Sequence, residues 1–193
     1  MRGDVSNLAD LDRLYDVVRQ EIGVIDVIFA NAGGGSLMAL ADITEDHYTR
    51  TFDTNVKGLL FTVQKGLPLL RDSGCIILMG STTGSKGTPS FSVYSATKAA
   101  VRNFARSWLL DLAPRGIRVN VLSPGSTSTP GLHALAGSEE QDAEFQAMLK
   151  AATPGGRLGT ATEIAHAALF LASDESSYVN GCELFVDGGA AQI

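Results

Sequence analysis

The chain has 193 residues, 45% of them hydrophobic, with 15 basic against 21 acidic side chains and a net charge of −6. That length supports one sizeable core and a single domain over residues 1–193, and without a dense Lys/Arg cluster the charge pattern excludes a surface built to track nucleic-acid phosphates or anionic membrane. Cys75 and Cys182 lie in unrelated contexts and His47, His133 and His166 are scattered, so neither a disulfide framework nor a metal site is expected.

With no signal peptide at the front and no apolar run of bilayer length, a soluble cytoplasmic protein with reduced thiols is the expectation. In chain order, "LADLDRLYDVVRQEI" (8–22) spaces its apolar residues as a helix does, and "VIDVIFANAG" (24–33) is a short apolar run ending in a turn. A long helix is predicted over 44–72 with Thr44 as N-cap, then a strand over 75–81, "CIILMGS". The pattern repeats with a helix over 93–116 ending at Pro-Arg-Gly and the strand "IRVNVLSPG" (117–125). A polar stretch follows to about residue 153, before a helix over 160–173 and a last strand, "CELFVDGG" (182–189). Apolar strands without alternation, each separated by a helix, predict a doubly wound α/β fold with a parallel sheet covered on both faces.

In such sheets ligands bind beyond the carboxyl ends of the strands. The predicted strand ends here carry "NAGGG", "GSTTG" and "SPGSTSTPG", rich in small residues and hydroxyls. Ser81 closes one strand, Tyr94 opens the next helix, and Lys98 lies four residues on, on the same helical face. A hydroxyl, a phenol and an ammonium can therefore converge. Together with "NAG" at 31–33, Asn55 in the preceding helix, "PG" at 124–125 and "VDGG" at 186–189, this order and spacing resembles the short-chain dehydrogenase/reductase family from about Asp4 to the C-terminus.

The resemblance implies a Rossmann-like fold, NAD or NADP as cofactor, and hydride transfer between nicotinamide and a ketone or secondary alcohol. Hydride delivery to a ketone leaves an alkoxide that needs a proton, so a general acid must stand within hydrogen-bond reach. The resemblance gives that role to Tyr94, with Lys98 lowering the phenol's pKa and holding the cofactor ribose, Ser81 bonding the substrate carbonyl, and Asn55 supporting a water between the lysine and solvent. Asp4 and Val5 match the family's Asp-Val at the end of a strand, facing adenine; Asn31, Ala32 and Gly33 match the turn beside the cofactor. Pro124, Gly125, Thr127 and Thr129 match the run past the nicotinamide, and residues 125–153 the substrate loop, expected as an amphipathic lid over an uncharged carbonyl compound.

The family's glycine-rich pyrophosphate turn, T-G-x-x-x-G-x-G, is not in these residues, and "MRGDVSN" already matches the end of a third strand. A truncation of on the order of 50 residues is therefore expected, together with an exposed apolar edge at "VIDVIFA" and weak cofactor binding by the 193-residue chain itself. Family members assemble through the helices matching 44–72 and 93–113, so a homodimer or homotetramer is expected. The competing expectation is a non-catalytic assembly module, using Phe104, Trp108 and Leu112 at i, i+4 and i+8 as its contact stripe.

Overall fold

The computed structural model describes residues 1–192. Its main sheet has four parallel strands in the order β1 (Ile25–Ala30), β2 (Leu70–Met79), β3 (Arg118–Pro124) and β6 (Glu183–Val186). Helices α1 (Leu8–Glu21), α3 (Leu59–Gly66), α4 (Ser92–Asp111) and α7 (Ala161–Ala172) alternate with those strands along the chain. Alternate residues of one strand feed opposite faces of the sheet. Ile76 and Leu78 join Val63, Val101 and Val119 on the side of α3 and α4, whereas Cys75 and Ile77 join Ile164, Ala168 and Leu171 under α7. Both faces are covered, which is why β2 reads as a continuous apolar run rather than an alternating one.

β1 has a sheet neighbour on one side only, and Phe29 remains 40% exposed there. The apolar edge expected from "VIDVIFA" is thus present in the chain as it stands.

The predicted helix over 44–72 is corrected in two ways. Thr44 does cap it, accepting a hydrogen bond from the His47 amide at 3.1 Å, but the helix runs as α2 (Glu45–Phe52), a π-helical stretch Asp53–Gly58, and α3. It stops at Gly66 because Pro68, two residues on, has no N–H to continue the ladder. Leu70 then pairs with Ile25, so β2 starts five residues earlier than its apolar run. The register shifts between Ile25 and Val27, where Ser73 adopts φ 61° and Gly74 fits against the Asp26 carbonyl.

The other predicted helices and strands recur with ends moved by a few residues; α4 stops at Asp111, and Gly116 turns the chain with φ 64° after a 3₁₀ turn. The polar stretch to residue 153, for which no element was predicted, contains β4 (Thr127–Ser128), α5 (Pro130–His133) and α6 (Glu139–Ala151). β4 pairs in parallel with β5 (Gly159–Thr160), closing the neck of a long excursion. Asp4 and Val5 form no strand; they lie at a turn that leads into α1. Phe104 and Trp108 stack with centroids 4.8 Å apart against the core, and Leu112 is buried, so the stripe considered for assembly is packed largely within the chain.

Among the described residues no helix is long and apolar enough to cross a membrane, and no cluster of His, Cys, Asp and Glu has the makings of a metal site.

Candidate active site

α4 buries Val93, Thr97, Lys98, Val101 and Ala105, a face at helical spacing that draws one charged residue into the protein. Lys98 is 3% exposed, and its Nζ donates to the carbonyl of Met79, the last residue of β2, at 2.9 Å. Desolvation lowers its pKa from 10.5 to about 8, which leaves the side chain charged at neutral pH. Four residues earlier, Tyr94 stands in the first turn of the same helix, stacked on Phe91 at 4.4 Å between centroids. Gly35 lies flat against that ring: a Cβ there would fall 2.6 Å from Tyr94 Cδ2. The helix N-terminus adds partial positive charge close to the phenol.

Ser81 follows β2 and caps a 3₁₀ turn, its Oγ accepting from the Thr83 amide at 3.2 Å and the Thr83 hydroxyl at 3.0 Å. Its side chain also stands beside Tyr94. The serine, expected to close the strand, therefore stands just beyond it, rigidly held by the turn. Lys98 Nζ lies 5.4 Å from the Tyr94 ring centroid. The expected lowering of the phenol's pKa is not found in the protein alone: burial raises it, with the neighbouring Ser81 side chain opposing. The Lys98 ammonium donates to the Met79 carbonyl. Tyr94 is accordingly a neutral phenol at neutral pH and carries the proton an acid must give.

Asn55 is fully buried in the π-helical stretch. Its Oδ1 accepts from the Gly34 amide at 3.0 Å, while its Nδ2 donates to the Gly34 carbonyl at 2.8 Å and to Thr97 Oγ1 at 3.0 Å. The Thr97 hydroxyl in turn donates to the Tyr94 carbonyl at 2.6 Å. Asn55 thus clamps the loop after β1 to α4, a use of its amide that the expected water relay did not include. The π register, in which one extra residue bulges from the helix, is a device often found at functional sites.

Asn31, Ala32 and Gly33 lie exposed after β1. A Cβ on Gly33 would sit 3.0 Å from Asn55 Oδ1 and 3.4 Å from Lys98 Nζ, so a side chain would fill the space beside the lysine. Glycine keeps that space beside the lysine open. At the end of β3, Pro124 and Gly125 pass close to β6: the Gly125 amide donates to the Val186 carbonyl at 3.0 Å, and a Cβ there would lie 2.8 Å from Asp187 Cα. Thr127 Oγ1 donates to the Gly125 carbonyl, and Thr129 Oγ1 caps α5.

Ser81, Tyr94, Lys98, Asn55 and Gly33 are therefore brought together by direct contacts. Asp4 and Val5 stand apart from them. The Asp4 carboxylate accepts from the Ser6 amide and hydroxyl, while Val5 packs on Gly58, where a Cβ would fall 2.8 Å from its Cγ2. Sequence reasoning missed Thr97, Gly34, Gly35 and Phe91. The available signals were the glycine run 33–35 and the threonine three residues after Tyr94.

The family model described as enoyl-(acyl carrier protein) reductase matches residues 1–191. Oxidoreductase asL5 of Sarocladium schorii is 45% identical over 195 residues, covering 100% of this chain and 76% of its own length. Elsinochrome reductase 1 of Elsinoe fawcettii is 34% identical over 200 residues, covering 98% of this chain and 74% of its own. Two solved structures superpose closely. The ligand-free aldohexose dehydrogenase of Thermoplasma acidophilum has TM-score 0.93 and 28% identity over 100% of this chain and 78% of that one. A gluconate 5-dehydrogenase of Burkholderia cenocepacia, in complex with NADP and tartrate, has TM-score 0.89 and 32% identity over 99% and 74%. The chain spans about three quarters of the length of these proteins, and the shared stretch holds the whole Ser81, Tyr94, Lys98 and Asn55 cluster. On sequence and on fold alike, it belongs to the short-chain dehydrogenase/reductase family of oxidoreductases.

Proposed function

We propose that the chain carries the catalytic half of an NAD- or NADP-dependent reductase of ketones, acting also as an alcohol dehydrogenase in reverse. The observation that carries the reading is the meeting of Ser81, a protonated Tyr94 and the buried Lys98 ammonium, which lies 5.4 Å from the phenol ring one helical turn on. A nicotinamide cofactor bound here supplies the hydride. Gly33 leaves the space for its ribose, and Lys98, Asn31 and the backbone of Ala32 and Gly33 are the groups that would hold it, with Pro124, Gly125, Thr127 and Thr129 past the nicotinamide. Asp4 and Val5 would serve the adenine end.

Ser81 and Tyr94 together orient a carbonyl oxygen, and Tyr94 gives its proton as the alkoxide forms. The tyrosinate left behind is stabilised by the ammonium of Lys98 and by the N-terminus of α4. Asn55 positions the loop that borders both. The substrate is a small carbonyl compound admitted by residues 125–153. A cytoplasmic homodimer or homotetramer is the working assembly.

The test is oxidation of NADPH or NADH by the purified protein against a panel of ketones. Tyr94→Phe should lower kcat at least about 100-fold and leave the circular dichroism spectrum unchanged, since the phenol oxygen makes no fold-critical bond. Retention of a tenth of the wild-type rate would overturn the acid role. No turnover with any carbonyl compound even at saturating NADPH or NADH, where weak cofactor binding no longer limits the rate, would favour the assembly-module reading.

A further inference from the structure

Residues 129–158 leave the body between β4 and β5 and return through the same two-stranded neck. Within this excursion α6 has none of its described residues fully buried. Its half-buried positions are Asp142, Phe145, Gln146 and Leu149, an i, i+3, i+4, i+7 stripe. Two members of that stripe are polar, so apolar burial alone gives α6 little hold.

The polar half of the stripe converges on one side chain. His133, at the end of α5, places Nδ1 3.1 and 3.0 Å from the two Asp142 oxygens, and Nε2 3.0 Å from the Ser128 hydroxyl on the neck strand. Gln146 donates to Asp142 Oδ2 at 2.6 Å and stands 3.2 Å from the same ring nitrogen. The carboxyl of Asp142 is held below its usual range, first by the His133 hydrogen bond and then by Gln146 and Lys150. An ionised carboxylate fixes the proton of a neutral imidazole on Nδ1, which leaves Nε2 to accept from Ser128. Ser128 lies exposed on the open neck ladder rather than in a cleft, so the relay is a mechanical link and not a nucleophile.

We propose that His133 is a positioning residue that clasps α6 to the neck strand through Ser128, Asp142 and Gln146, and so sets how tightly the substrate segment closes. The proposal rests on the oxidoreductase reading only for its effect on KM; the clasp stands on geometry alone. Thr127, adjacent to Ser128, bonds the Gly125 carbonyl, so the neck the clasp grips is continuous with the end of β3, where the nicotinamide run begins.

Hydrogen exchange read by mass spectrometry on the intact protein tests the clasp. In His133→Ala and in Asp142→Asn, amides of residues 140–150 should exchange at least about five times faster, while those of α4 stay as in wild type. Faster exchange in both elements would be global destabilisation and would overturn a local clasp, as would unchanged exchange in α6. Lys150 is the one Lys or Arg between Arg118 and Arg157. Trypsin should therefore cut there faster in the same variants, separating residues 1–150 from the rest. In ketone reduction, His133→Ala should raise KM at least about threefold with kcat within about twofold of wild type; an unchanged KM would overturn the link to substrate. Tyr94→Phe should leave α6 exchange untouched, so a failed clasp and a failed acid role are told apart.

Discussion

Two polar clusters in this molecule hold loops to helices, and they differ in one respect, water. Asn55, Thr97 and Lys98 are sealed at 0 to 3% exposure beneath the loop after β1. His133, Asp142 and Gln146 do the corresponding job for α6, half-exposed on the surface. In the first cluster a broken hydrogen bond strands a group that water cannot reach, and the penalty for that exceeds the net worth of the bond. In the second, water takes the empty place. Burial therefore makes the catalytic region rigid and costly to alter, while the substrate segment stays adjustable with little effect on the fold.

The sharpest way to break this contrast is Asn55→Ala. It removes both bonds to the Gly34 backbone, takes the donor from the buried Thr97 hydroxyl, and leaves a space where a fully buried amide stood. Urea denaturation should show a loss of about 3 kcal/mol, with activity lost as the loop comes away from Tyr94. A loss under about 1 kcal/mol would mean that water enters the cluster and that the distinction drawn here fails.

Lys98 sharpens the contrast by its sign. Below pH about 8 the lysine is protonated in both folded and unfolded chains, and the folded protein carries the full cost of the buried charge. Between about 8 and 10.5 the folded chain has shed a proton that the unfolded chain still binds, so stability rises with pH there. Lys98→Met removes the charge. It should stabilise the protein at pH 7 by about 2 kcal/mol, after allowance for the lost bond to Met79, and the gain should shrink as pH rises past 8 and turn into a small loss, that of the Met79 bond, above 10.5. The same substitution should end turnover, an instance of stability given up for chemistry. Destabilisation by Lys98→Met at pH 7 would show instead that the ammonium is compensated by partners beyond Met79.

These two effects also mark what was legible in the sequence. The alternation of helix and strand, the parallel sheet, and the meeting of Ser81, Tyr94 and Lys98 follow from local spacing, because i and i+4 on α4 and the carboxyl edge of the strands fix where they point. The π stretch around Asn55 was not legible. Nothing in "DTNVKG" forbids an ordinary helix, and the extra residue is stabilised by the partners Asn55 finds on Gly34 and Thr97. The early start of β2 was hidden for a similar reason: Leu70 to Asp72 read as helix until Ile25 is there to pair with. The direction of the Tyr94 shift was misjudged because sequence shows a lysine four residues away but not the burial that raises the phenol's pKa. The helices of 130–151 were hidden by polar composition, and the clasp that secures α6 is invisible until the chain has folded back on itself.

The smallest effect belongs to the neck of the excursion, which obeys the rule of the exposed cluster. Glu163 accepts two bonds from Arg157 and completes a capping box with Thr160 at the start of α7, and these hold its pKa down from 4.5 to about 2. Because the folded form holds the carboxylate ionised, its contribution is present above pH 4.5 and is lost as pH falls toward 2. Solvent screens the pair, so Glu163→Gln should lower Tm by only about 1 to 2 °C at pH 7. The gap between the two proteins should then close as the pH is taken down through that window, since protonation makes the wild-type side chain resemble the variant's. A gap that persists below pH about 2 would place the stabilisation in something other than the charge of the carboxylate. A gap much larger than this at pH 7 would mean that the neck behaves like the buried cluster, and that exposure is the wrong property by which to divide the molecule.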